Sequence, residues 1–212
     1  MAALDAHEQE QLDAMKAWWN ENSKWIVAAL LAAVVAVGGW RGWVYYQHQQ
    51  DNQAATLFQQ FTEQMGSGDA KRINDAAAVL MDKFSGSGYA PRAALLAALV
   101  NEHVKDTGTA KTQLQWVVDN AGEEGLQDMA RLRIAAILLD EKNYADALKH
   151  LEAGHIAPLD GLYADLRGDI FNAQGKKEEA RRAYKLAFEK IDERSMYRNI
   201  IQIKLDALGA SK

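Results

Sequence analysis

The sequence predicts an all-α chain: one N-terminal transmembrane helix, an array of helical hairpins after it, and a capping helix at the end. Three observations carry this. The run from Trp25 to Trp40 contains no charged residue. Beyond it, apolar residues recur at helical spacing, alanine and leucine dominate and β-branched runs are scarce. Paired helices then return at intervals of about 33–40 residues, the period of helical repeat arrays.

The first element is the membrane helix. A spanning helix needs about 20 mostly apolar residues. Trp25–Trp40 is shorter than that, and Gly42 to Tyr46 complete it if Arg41 snorkels to the headgroups. Trp25 at one end and Trp40, Trp43, Tyr45 and Tyr46 at the other form an aromatic belt at each interface. A core helix would show an amphipathic face, which this run lacks. A cleaved signal peptide would begin with a short basic segment and end in a small-x-small site. Here some two dozen residues precede the run, and Gly39-Trp-Arg follows the nearest candidate sites, around Ala36 and Gly38. The expectation is an uncleaved signal anchor over 24–46, with a cytoplasmic tail over 1–23 and a repeat domain over 47–212. Lys16 and Lys24 against Arg41 favour a cytoplasmic N-terminus by one residue. The acidic tail carries Asp5, Glu8, Glu10, Asp13 and Glu21; Ala14–Trp19 reads either as a short interfacial helix or as a frayed end.

After the anchor, about 165 residues remain, enough for one domain with its own core. Of the 29 acidic and 24 basic residues in the chain, five and three fall in the first fifty, so the remainder is close to neutral and lacks the basic excess of a nucleic-acid binder. There is no cysteine, which suits an oxidising or a reducing compartment equally.

The helices follow in order. The membrane helix continues through Gln47–Gln53, which has no breaker, into Leu57, Phe58, Phe61 and Met65 at helical spacing; Gly66-Ser-Gly68 ends it. Asp69 caps a second helix with Ile73, Ala77, Leu80, Met81 and Phe84, ended by Gly86-Ser-Gly88. Ala90–His103 has Pro91 in its first turn. Asp106-Thr-Gly108 turns the chain into Lys111–Asn120. Leu126–Asp140, Tyr144–Ala153, Leu159–Ala173 and Lys177–Lys190 complete four hairpins, and Met196–Leu208 closes the stack.

In the last two hairpins, small residues stand where paired helices touch: Ala135 and Ala147, then Gly168 and Ala180, with Tyr144 and Tyr184 nearby. That is the tetratricopeptide pattern. The first two hairpins are expected to be degenerate, with no small residue in register.

Lys16-Ala-Trp-Trp-Asn-Glu-Asn-Ser-Lys24, Gly39-Trp-Arg-Gly-Trp43, Leu132-Arg-Ile-Ala135, Ala164-Asp-Leu-Arg-Gly168, Gly175 and Ala180 together resemble the YfgM family over nearly the whole length. The resemblance implies a single-pass bacterial inner-membrane protein with a periplasmic tetratricopeptide-like domain. It implies a non-catalytic, ancillary role at the SecYEG translocon. The implied second partner is a membrane-anchored prolyl-isomerase-type periplasmic chaperone, to which secreted proteins are handed. The rival reading is an envelope assembly or scaffold protein unrelated to secretion.

No residue pattern in the chain reads as a catalytic, metal or cofactor site. His150 and His155 are five residues apart and fall on different helix faces. The Gly-Ser-Gly pairs lack a phosphate-binding lysine. Lys176, Lys177, Arg181, Arg182 and Lys185 interleave with Glu178 and Glu179 and read as a solvated face. The candidate partner-binding surface is the concave face of the last two hairpins. Met129, Leu132 and Leu139 would form an apolar wall, and Leu162, Asp165, Asp169 and Asn172 a more acidic one. The alternative is that the apolar set is ordinary core. Reversing the charge of Asp165 and Asp169 is expected to leave the fold intact.

Overall fold

A computed structural model describes residues 6–209; the tail position Asp5 and the end of the repeat domain, 210–212, lie outside the described residues. Regular structure among them is helical: α1 (Ala6–Met65), α2 (Ala70–Lys83), α3 (Tyr89–His103), α4 (Thr107–Asn120), α5 (Glu124–Asp140), α6 (Tyr144–Glu152), α7 (Asp160–Ala173), α8 (Lys177–Lys190) and α9 (Tyr197–Gly209), with a short 3₁₀ turn at Ala157–Leu159. The chain forms two compact units divided between Gln50 and Asp51.

The first unit is α1 up to Gln50. Its apolar stretch is largely exposed: Trp25 is 79 % and Val35 73 % accessible. One described helix is long and apolar enough to cross a membrane, and it is this one. Length and composition make it a candidate membrane span. Trp18 and Trp19 lie on the same unbroken helix, so among the described residues Ala14–Trp19 is not a separate helix. No glycine or proline between Trp19 and Trp25 gives the chain a place to turn.

The second unit stacks hairpins around three apolar clusters. Ala54 and Phe61 of α1 pack with Ile73, Ala77 and Leu80 of α2 and with Ala90, Ala93 and Ala97 of α3. A central cluster runs from Ala94 of α3 through Leu114, Ile134 and Leu151 to Tyr163 and Ile170 of α7. The third joins Ala164, Ala180, Tyr184 and Ala187 to Ile201 and Leu208 of α9, which closes the array as the capping helix.

Inside the last three hairpins the turns share one geometry. Lys105, Lys142 and Gly175 adopt positive φ of 66°, 60° and 76°. The next residue, Asp106, Asn143 or Lys176, donates its N–H back to Asn101, Leu138 or Phe171 at 2.8–2.9 Å, the six-to-one bond of a Schellman turn. Four residues on, Ala110, Ala147 and Ala180 donate to the cap carbonyls at 3.0–3.1 Å and are fully buried. The hairpin α3–α4 is therefore a regular repeat with a small residue in register, which corrects the expectation of degeneracy there. The first hairpin turns at Gly68 with φ 69° but carries the larger Ile73 at the equivalent position.

One helix start differs from expectation and another matches it. Asp69 caps α2 as read, accepting from Lys71 and Arg72 N–H. Asp106 does the same for α4, accepting from Thr109 N–H at 3.1 Å and the Thr109 hydroxyl at 2.7 Å, so that helix begins at Thr107 rather than Lys111. Gly108, which reads as a turn residue, sits inside its first turn.

Candidate protein-binding groove

The shared turn geometry puts Leu95, Leu132 and Asp165 at one repeat position, Leu99, Ala136 and Asp169 at the next, and Glu102, Leu139 and Asn172 one helical turn further on. Where α5 and α7 run side by side, a cavity of about 320 Å³ opens, reached also by Tyr197 of α9. It is lined by Met129, Leu132, Leu162, Asp165 and Asp169, five of the seven residues expected to share this surface. Leu139 instead packs against the central cluster, and Asn172 is exposed outside the cavity. Met129 is 43 % accessible, whereas Leu132 is half-buried.

The acidic wall is not an open one, and the expectation is corrected here. Asp165 is only 2 % accessible. Lys204 of α9 donates to both its carboxylate oxygens, at 2.9 and 2.8 Å, and to Asp169 Oδ2 at 2.8 Å. The Tyr197 hydroxyl donates to Asp165 Oδ2 and the Tyr184 hydroxyl to Asp169 Oδ1, both at 2.7 Å. Burial first, then the bond to its aspartate, pushes each phenol well above the ordinary tyrosine range, so both stay protonated donors. The two carboxylates hold the capping helix on rather than face a partner. Reversing their charge would set lysines against Lys204 in a buried site, so it would destabilise the domain. What the groove exposes is mainly apolar, with the partly exposed Arg133 side chain beside it.

Toward α3, Arg133 lines the cavity and lies 3.8 Å from Glu102. Burial raises the Glu102 carboxyl above its ordinary range, partly offset by Arg133, and its Oε1 is buried with no hydrogen-bond partner. The histidines singled out in the sequence have separate surroundings. His155 stacks on Tyr163 with centroids 3.9 Å apart and meets Asp160 at 3.2 Å. His150 faces a second cleft of about 790 Å³, between α4 and α6, which sequence reasoning missed. Its signal is Trp116, the single tryptophan beyond α1. In the basic cluster of α8, Arg181 caps the Leu208 carbonyl at 3.0 Å, while Lys176, Lys177, Arg182 and Lys185 are exposed.

A tetratricopeptide repeat-like domain profile matches residues 16–210. Three curated proteins, each described as an ancillary SecYEG translocon subunit, align over nearly all of the chain. The one from Neisseria gonorrhoeae is 30 % identical over 97 % of this chain and 99 % of its own length. That from Aggregatibacter actinomycetemcomitans is 28 % identical over 97 % and 100 %, and that from Escherichia coli K12 is 26 % identical over 96 % and 97 %.

Proposed function

Because the chain belongs to the YfgM-like family of ancillary SecYEG translocon subunits, with a tetratricopeptide repeat-like domain, we propose that it is a non-catalytic, protein-binding subunit at that translocon. The helix over 24–46 anchors it once in the inner membrane, with the tail 1–23 in the cytoplasm and the domain 47–212 in the periplasm. There the domain links emerging secreted proteins to a membrane-anchored chaperone of the prolyl-isomerase type.

The observation that carries this reading is the cavity between α5 and α7, whose lining is apolar around the exposed Met129 and the half-buried Leu162. An apolar groove between helices suits the apolar face of a partner's helix. The anchor raises the groove's effective concentration beside the translocon, so weak binding suffices to keep it occupied.

Met129→Ser tests this. The side chain is exposed, so stability should change by only about half a kcal/mol, while copurification of the translocon or the chaperone from membranes falls severalfold. Copurification that survives this change but disappears when an unrelated anchor replaces residues 24–46 would place the contact in the membrane helix and refute the groove.

A further inference from the structure

The closing helix α9 is apolar on two faces. One buries Ile201 and Leu208 against α7 and α8. The other carries Met196, in the turn that leads into the helix, then Ile200 and Ile203, all exposed; Met196 is 85 % and Ile203 67 % accessible. Ala207, also exposed, continues the row. None of the four lines the concave groove. The end of a repeat array needs a polar outer face to stay soluble by itself, and this end lacks one.

The spacing of the row is that of the a and d positions of two heptads, the seam of a helix pair. It covers about 16 Å at the usual rise. Its order reads the same from either end, so a second copy running antiparallel matches it. Ile200 then faces the partner's Ile203, and Met196 faces the partner's Ala207, a long side chain over a short one. A parallel copy would crowd methionine on methionine at one end and leave alanine on alanine at the other. Asn199 and Asp206 flank the row on one side, one heptad apart. The antiparallel order brings the Asn199 amide to the partner's Asp206 carboxylate, and the two-fold axis repeats that pairing.

A lipid surface would instead select an apolar row bordered by free lysine and arginine. Both cations of α9 are engaged within the domain. Arg198 lies 3.7 Å from the centre of the Phe188 ring, and Lys204 is bonded to Asp165 and Asp169.

We propose that α9 docks antiparallel on α9 of a second copy of this chain, through Met196, Ile200, Ile203 and Ala207. Four side chains bury well below the roughly 800 Å² per partner of a standard interface, so the pairing is weak. Covalent trapping is the way to read it.

The chain has no cysteine, so single cysteines are unique. Two versions of the full-length chain, Met196→Cys and Ala207→Cys, are placed in detergent micelles, separately and mixed, and oxidised mildly. The mixture should form disulfide-linked dimer about tenfold faster than either version by itself, because a disulfide needs Cα atoms within about 7 Å and like positions lie a whole seam apart. Ile203→Asp, at an exposed position, should keep the parent melting midpoint. Added to both versions, it should slow the mixed reaction about tenfold by placing a charge in the seam. Absence of dimer from the mixture overturns the proposal, as does faster dimer from either version by itself. A mixed rate that Ile203→Asp leaves unchanged assigns the encounter to another part of the chain and also overturns it.

Discussion

Gly168→Ala should destabilise the repeat domain by about 2–3 kcal/mol, lowering its melting temperature by about 5–10 °C. A Cβ at this position would lie 2.4 Å from both Cδ1 and Cε1 of Tyr184, well inside contact distance. Two effects oppose each other. Replacing glycine by alanine inside a helix gains about 1 kcal/mol of helix propensity. Overpacking a filled crossing costs about 1–3 kcal/mol, and more where the neighbour is unable to yield. Tyr184 is unable to yield: it is 1 % accessible, and its hydroxyl is bound to Asp169 at 2.7 Å. The clash therefore wins. Thermal melting by circular dichroism decides the matter. A midpoint at or above that of the parent chain would mean that α7 and α8 are not this close. The double variant Gly168→Ala/Tyr184→Leu should be less unstable than the two single losses added together, because the residues share one contact.

Lys204→Met should have an effect of similar size. The substitution keeps an unbranched aliphatic side chain but removes the ammonium that serves both Asp165 and Asp169. Breaking a buried pair by removing one partner costs about 3–5 kcal/mol because it leaves a buried charge uncompensated. Asp165 is buried while the Lys204 side chain keeps 25 % of its exposure, so the lower end, about 3 kcal/mol, applies. Lys204→Met together with Asp165→Asn should recover part of the loss, since the stranded charge is then gone. Urea unfolding followed by helicity measures both. If Lys204→Met unfolds at the parent midpoint, the capping helix is not held by this cluster.

That cluster also marks the limit of what the sequence makes legible. The long apolar helix is legible because it depends on a contiguous run, and the Asp69 cap because it acts within three residues. The small residues at the crossings, Ala135, Ala147, Gly168 and Ala180, could be read from spacing alone, and all four are buried. Asp165 misled for a physical reason: its partner Lys204 stands 39 residues later on a helix whose own pattern says nothing of α7. The same holds for the amide network of Asn74, Asn101 and Gln113. Their side chains close a set of 2.8–3.0 Å bonds joining α2, α3 and α4, yet each looks like an ordinary surface amide in its own helix. The turns at Lys105 and Lys142 carry no glycine to announce their positive φ. The repeat in α3–α4 is masked in the sequence by Gly108, which reads as a turn residue and moves the apparent helix start past Ala110. Five of the seven groove residues line one cavity because a shared helix face follows from helical periodicity. What periodicity lacks is the occupant of that surface, and here α9 takes the acidic part of it for the chain itself.

The central claim is that the concave groove of a periplasmic domain meets the translocon or its chaperone. A photo-crosslinking amino acid placed at Met129 and activated in intact cells tests it most directly, with one at the exposed Lys185 on α8 as comparison. Met129 should yield adducts with a SecYEG component or with the membrane-anchored chaperone, and Lys185 should yield few. Adducts from Met129 with cytoplasmic proteins, or equal adducts from both positions, would contradict the account.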